Sequence, residues 1–201
     1  MTPDALLDLF RTSGALLEGH FRLTSGLHSP GYLQCALVLQ HPQHAEALGR
    51  AIADRTRELR ATLVVSPALG GVVIGHEVAR ALFAERQDGA MALRRGFVIG
   101  ESDRVLVVED VLTTGGSTRE TMQVAKAAGG QVVGAASIVD RPSARADDRA
   151  RPGQAADRTT EFGVPFVALI SVDLPAYEPD DCPLCAQGLP VIKPGSRPVV
   201  T

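Results

Sequence analysis

The sequence predicts an α/β fold with a central, mostly parallel sheet flanked by helices, and three observations carry that prediction. Residues 63–65, 105–108, 131–139 and 166–172 are short, largely apolar runs without the polar alternation of a sheet that faces water. Segments with helical spacing of apolar residues separate the first three runs. The run ending at Val108 leads into two carboxylates and a turn of threonine and glycine, at the strand end where such sheets bind ligands. With 201 residues, 45% of them hydrophobic, the chain can bury a core as a single domain, 1–201.

A first helix is expected over 3–13, capped by Thr2, opened by Pro3 and ended by Gly14, with Leu6, Leu7 and Phe10 on one face. Residues 15–39 read as irregular or extended around the turn signal Ser25-Gly26-Leu27-His28-Ser29-Pro30-Gly31. Ala45, Leu48, Ile52 and Leu59 set a long helix over about 43–60. The strand at 63–65 is followed by Ser66-Pro67-Ala68-Leu69-Gly70-Gly71 and a helix over about 72–84. The strand at 105–108 is followed by a glycine-rich turn and a helix over about 117–128, then by strands at 131–139 and 166–172. Residues 140–161 contain no Val, Ile, Leu, Met or aromatic residue and are expected to be a mobile, solvated surface loop or a frayed helix.

Composition excludes several classes of function. A net charge of -3, 4% aromatic residues and no Trp argue against a nucleic-acid partner. No apolar run approaches the ~18 residues of a membrane span, and Asp4, Asp8 and Arg11 make the first helix amphipathic rather than a signal peptide. Three cysteines do not form a disulfide framework. The expectation is a soluble, cytoplasmic protein. Among its basic residues only Lys126 and Lys193 are lysines.

The strongest motif is Val105-Leu106-Val107-Val108-Glu109-Asp110-Val111-Leu112-Thr113-Thr114-Gly115-Gly116-Ser117-Thr118. Residues 113–117 offer consecutive backbone N–H groups with little bulk, at the positive end of the next helix dipole, which makes a phosphate cradle. Glu109 and Asp110 precede the cradle and would face a group carried by the phosphate, accepting hydrogen bonds from sugar hydroxyls. Taken alone, the acidic pair also fits a solvated strand end. The GxxxxGK[ST] spacing of a nucleotide P-loop is absent.

The whole stretch resembles the signature of the type I phosphoribosyltransferases, which bind 5-phosphoribosyl 1-diphosphate. Phe21-Arg22-Leu23-Thr24-Ser25-Gly26-Leu27-His28-Ser29-Pro30-Gly31-Tyr32 looks like the base-binding segment of the orotate phosphoribosyltransferases within that group. Residues 66–71 are similar to their diphosphate loop, Asp140-Arg141 to the position presenting an arginine to orotate, and the Cys182-x-x-Cys185 tail to a bacterial subgroup. The resemblance implies a core at about 60–175, a small N-terminal base-binding hood at about 1–40, and a tail. It implies transfer of the phosphoribosyl group to orotate with Mg2+ held mainly by the diphosphate, in a homodimer with a shared site. Glu109, Asp110, Thr113, Thr114, Gly115, Gly116, Ser117, Leu69, Gly70 and Gly71 would hold the phosphoribosyl diphosphate; Thr24, Tyr32, Thr113 and Arg141 would hold orotate.

The family places lysines in the diphosphate loop and in a mobile catalytic loop. Here Gly70 stands at the first position, and the second region has neither lysine nor histidine, so Arg86, Arg94 and Arg95 are the candidate catalytic cations. A different base, or a non-catalytic sensor of the sugar diphosphate, stays open at this point. His28 fits a base contact or a surface histidine. Cys182 and Cys185 fit a zinc site, a pair cycling between thiol and disulfide, or two thiols in a C-terminal turn; for zinc only Cys35 remains as a further thiol unless a dimer mate supplies a second pair.

Overall fold

The computed structural model describes residues 1–23, 26–79, 81–94, 96–142 and 158–194. Helix α1 spans Pro3–Thr12; the Thr2 hydroxyl accepts from the Ala5 N–H at 3.3 Å, and Leu6 and Phe10 are buried. Strands β1, Leu16–Arg22, and β2, His28–Leu33, then form an antiparallel hairpin, so the region read as irregular or extended is largely extended. Short helix α2, Ala36–Leu39, leads into α3, Pro42–Thr56, which closes in a 3-10 turn at Arg57–Leu59.

The main sheet comprises β3 (Leu63–Pro67), β4 (Ala81–Gln87), β5 (Ala90–Leu93), β6 (Arg104–Leu112), β7 (Gln131–Asp140) and β8 (Phe166–Ser171). Its order is β5-β4-β3-β6-β7-β8, and every neighbouring pair is parallel except β4 with β5. Between the strands run α4 (Gly70–Val78), α5 (Gly116–Ala127) and α6 (Arg158–Phe162). The expected helix over 72–84 is therefore two elements. Ala79 is extended, the helix stops, and the apolar residues that follow pair with β3 as a strand.

Alternation along β6 divides the core. Leu106 and Val108 pack with Leu48, Ile52 and Ile74 on the α3–α4 side, while Val105 and Val107 pack with Met122 and Ala125 on the α5 side. Strand β6 also runs four residues beyond Val108, because Glu109, Val111 and Leu112 continue the ladder with β7. Residues 143–157 lie outside the described residues, yet both flanks of the expected solvated loop are buried: Asp140, Arg141 and Arg158 are 0%, 6% and 8% exposed. That correction has a physical cause, since Asp140 and Arg158 neutralise one another.

After β8 the chain returns to the hairpin. Tyr177 and His28 exchange backbone hydrogen bonds at 2.8 Å on the β2 edge. On the β1 edge the Ile192 N–H donates to the His20 carbonyl at 2.8 Å, and Arg22 N–H to the Ile192 carbonyl at 2.9 Å. The tail thus covers both edges of the hairpin, and short helix α7, Pro183–Ala186, lies between these two contacts in sequence.

Candidate active site

A cavity of about 890 Å3 opens beyond the carboxyl ends of β3 and β6, between the sheet and the hairpin. Tyr32, Leu69, Gly70, Asp110, Thr113, Thr114, Ser117 and Arg141 line it, so most of the expected ligand-binding residues converge there. Thr24 and Arg95 lie outside the described residues.

The phosphate loop is built by conformation and by pinning. Gly115 caps α5 at φ +71, and a Cβ there would lie 3.0 Å from the Phe162 ring, so glycine is required twice over. The first N–H groups of α5, from Gly116 onward, have no partner within the helix. Arg158 Nη2 donates to the Thr113 carbonyl at 2.7 Å, and Arg119 Nη2 to the Thr114 carbonyl at 2.8 Å. In a planar trans peptide the next N–H points opposite to its carbonyl. Pinning both carbonyls therefore turns the N–H groups of Thr114 and Gly115 away from the two guanidinium groups. Glu161 joins the clamp, accepting from both Arg119 and Arg158.

The adjacent carboxylates part company. Asp110 lines the cavity, with both carboxylate oxygens 2.7 Å from where a Cβ on Gly70 would sit. Only glycine lets the 66–71 loop approach Asp110 so closely; the Ala68–Leu69 peptide beside it is cis. Glu109 is not among the cavity-lining residues and accepts a hydrogen bond from Thr118 of α5. Both carboxylates are expected from the sequence to face the ligand alike; here Asp110 reaches the cavity and Glu109 turns to α5. Burial pushes Glu109 up to about 7, against the Thr118 bond and with help from Asp110. Burial also raises Asp110, opposed by the N–H groups of Val111 and Asp110 itself.

On the hairpin side, Arg141 donates from Nη2 to the Ser29 hydroxyl at 2.8 Å, and its buried Nε has no partner among the described residues. Burial lowers its pKa, with the nearby Tyr32 opposing, and no carboxylate of the described residues pairs with it. Tyr32 is raised by burial, Asp110 and Cys35, and lowered by Arg141. Cys35, also on the cavity wall, is pushed well up by burial and Asp110, which keeps it a neutral thiol.

Gly71 and Gly116 shape the two loops from the first turns of α4 and α5 without being cavity-lining residues themselves. Arg86 and Arg94 are exposed on and just after the β4–β5 hairpin and do not line this cavity either. Arg86 is tied to Glu120 at 2.8 Å and to the Gly89 carbonyl at 2.9 Å. His28 is buried, not a surface residue, and meets His20 rather than the cavity. Sequence reasoning missed Ser29, Arg119, Arg158 and Glu161 as site-building residues. Their pairings span up to 112 residues and leave no local pattern.

Comparison with known proteins agrees with this geometry. Residues 89–168 match the phosphoribosyl transferase domain family. The chain is 48% identical to the orotate phosphoribosyltransferase of Pelotomaculum thermopropionicum, covering 99% of this chain and 100% of the relative. It is 49% identical to that of Carboxydothermus hydrogenoformans, covering 96% and 97%. Among solved structures it shares its fold with Mycobacterium tuberculosis orotate phosphoribosyltransferase, with a TM-score of 0.66 at 24% identity over 83% of this chain and 94% of that one. With near-half identity over essentially the full length of such relatives, the chain belongs to the orotate phosphoribosyltransferase family.

Proposed function

We propose that the chain transfers the phosphoribosyl group of 5-phosphoribosyl 1-diphosphate to orotate, forming orotidine 5-monophosphate and diphosphate in pyrimidine nucleotide synthesis. The observation that carries the orotate half is Arg141, a buried guanidinium on the cavity wall that has, among the described residues, no carboxylate partner and no acceptor for its Nε donor. An unpaired buried cation is costly, and a planar carboxylate such as that of orotate matches its fork of donors.

The reaction is substitution at C1 of the ribose: orotate N1 bonds to C1 and gives up its proton to solvent, as the diphosphate oxygen leaves with the C1–O bonding pair. Thr113, Thr114 and the N–H groups opening α5 receive the 5-phosphate, while Asp110 accepts from ribose hydroxyls and Glu109 supports it from the α5 side. Gly70 and its neighbours leave room for the diphosphate, and Arg141 with Tyr32 orients the base. A carboxylate lining the cavity, Asp110, with the backbone N–H groups of Val111 and Asp110 itself donating to it, would suit a hard divalent ion held mainly by diphosphate and water. With Asp110 and the diphosphate holding it, Mg2+ would supply positive charge to offset that of the leaving group. Arg86, Arg94 and Arg95 supply cationic help in place of lysine, in a cytoplasmic homodimer whose subunits share the site.

An ultraviolet assay with Mg2+, the sugar diphosphate and one base at a time tests this. Orotate should be consumed, and adenine, hypoxanthine, guanine, uracil and xanthine should not; consumption of another base instead would overturn the reading. Arg141→Ala should raise the KM for orotate about 10- to 100-fold, the worth of a charge-assisted pair. The KM for the sugar diphosphate should hardly move. Equal effects on both would remove Arg141 from the base subsite.

A further inference from the structure

Away from the cavity, the hairpin and the tail bring four soft or borderline ligand atoms together. His20 lies on β1, His28 on β2, and Cys182 and Cys185 flank the start of α7. The ligand atoms of all four lie within 4.8 Å of one another. Cys182 Sγ is 3.6 Å and Cys185 Sγ 3.7 Å from His20 Nε2; Cys185 Sγ is 3.2 Å and His20 Nε2 2.9 Å from His28 Nδ1. A tetrahedral zinc bound by two imidazole nitrogens and two thiolates has ligand–ligand edges of about 3.3–3.8 Å, from its bond lengths. The two His20–thiol edges, 3.6 and 3.7 Å, fall in that range, while the two contacts of His28 Nδ1, 3.2 and 2.9 Å, are shorter than its lower limit.

The surroundings favour a metal over a chance meeting. His20 Nδ1 lies 2.8 Å from the Leu189 carbonyl. That fixes the proton on Nδ1, because a carbonyl only accepts, and leaves the lone pair of Nε2 facing the other three residues. A hydrogen bond between the two imidazoles accounts for their own 2.9 Å contact. It does not account for two thiols converging on the same point from a tail more than 150 residues away. Cys35, the remaining thiol, is buried on the cavity wall, so the set is completed by histidines of the same chain rather than by cysteines of a second one.

We propose that His20, His28, Cys182 and Cys185 form a structural zinc site that fastens the C-terminal tail to the β1–β2 hairpin. Two thiolates and two imidazoles without a carboxylate select zinc over the hard cation suited to the diphosphate. All four positions are filled by protein, so the ion is structural. Its loss frees the tail from a hairpin that it otherwise holds mainly by backbone pairing at Tyr177 and Ile192. One consequence rests on the function proposed above: His28 precedes Ser29, the partner of Arg141, so a loosened hairpin should weaken orotate binding.

The test uses untagged full-length protein made with zinc supplied and measures bound metal by mass spectrometry, with no substrate present. About one zinc per protomer is expected. Exchange of wild-type protein into cobalt(II) should give thiolate-to-cobalt charge transfer and the visible bands of a tetrahedral centre. Cys182→Ser and His28→Asn should each lose most of the metal, while Cys35→Ser should keep it. Chelation should lower the unfolding midpoint of the wild type. Less than ~0.1 zinc per protomer together with no cobalt bands in wild-type protein would overturn the proposal whatever the variants do. So would full zinc in Cys182→Ser. Neither result bears on base specificity, so this proposal and the assigned reaction fail separately.

Discussion

Glu109 and Asp110 are chemically alike and adjacent, yet the pleat of β6 gives them different work. Successive residues point to opposite faces, so Asp110 meets the cavity and Gly70 while Glu109 meets Thr118 on α5. The buried Glu109 carboxyl is held at about 7 instead of its ordinary 4.5. A raised folded-state pKa means the folded protein binds the proton more tightly than the unfolded chain. Glu109 therefore favours folding fully below about pH 4.5, and that contribution is lost as pH rises through about 7. Ionised above that range, it carries a desolvation cost of up to about 3 kcal/mol. Glu109→Gln keeps an acceptor for Thr118 but has no charge to desolvate. It should raise the unfolding midpoint of ligand-free protein at pH 8 relative to wild type, with the difference vanishing near pH 4.5. If Glu109 supports Asp110 at the sugar as proposed, the same variant should also lose turnover. Midpoints measured across pH decide the matter: a wild type as stable as the variant at pH 8 would refute the buried-charge account.

At the scale of elements, the phosphate loop depends on a helix that the sequence conceals. Helix α6 carries Arg158, which binds Asp140 at the end of β7 at 3.1 Å and the Thr113 carbonyl at 2.7 Å. Breaking a buried ion pair from one side leaves an uncompensated charge, so Arg158→Met should destabilise by about 3–5 kcal/mol. It should also raise the KM for the sugar diphosphate by releasing the loop. Pairing it with Asp140→Asn should recover much of the stability but not the KM. A KM restored together with stability would show that Arg158 serves only the fold. Little of this was legible beforehand, because residues 140–161 have no Val, Ile, Leu, Met or aromatic residue and buried guanidinium groups leave no periodic signal. The β6-to-α5 motif was legible, since strand, carboxylates, glycine and helix are contiguous and each follows from local chemistry. The residues after Val78 misread as helix for the opposite reason. An apolar stretch suits either period, and it becomes β4 only because β3 offers a parallel edge more distant in sequence.

For the whole molecule, the scarcity of lysine becomes a statement about architecture. Lys126 and Lys193 are both exposed and neither lines the cavity, which is why arginine is proposed for the cationic help to a departing diphosphate. Arg94 is exposed just after the edge strand β5 and is not part of its own protomer's cavity wall. An exposed arginine at a sheet edge reaches a distant reaction centre most directly by serving a second copy of the chain. In that arrangement Arg94→Ala leaves each cavity intact but without its incoming cation, and Asp110→Asn spoils the cavity while leaving the hairpin able to serve a neighbour. Each variant alone should be nearly inactive with an unfolding midpoint close to wild type. Co-expressed, they should form mixed dimers in which one of the two sites has both an intact Asp110 and an intact Arg94. Random pairing in a two-fold dimer then recovers up to about a quarter of wild-type turnover. Purified mixed dimers with no activity above the parents would mean that each site is completed within one chain. Arg94 would then lose its catalytic assignment.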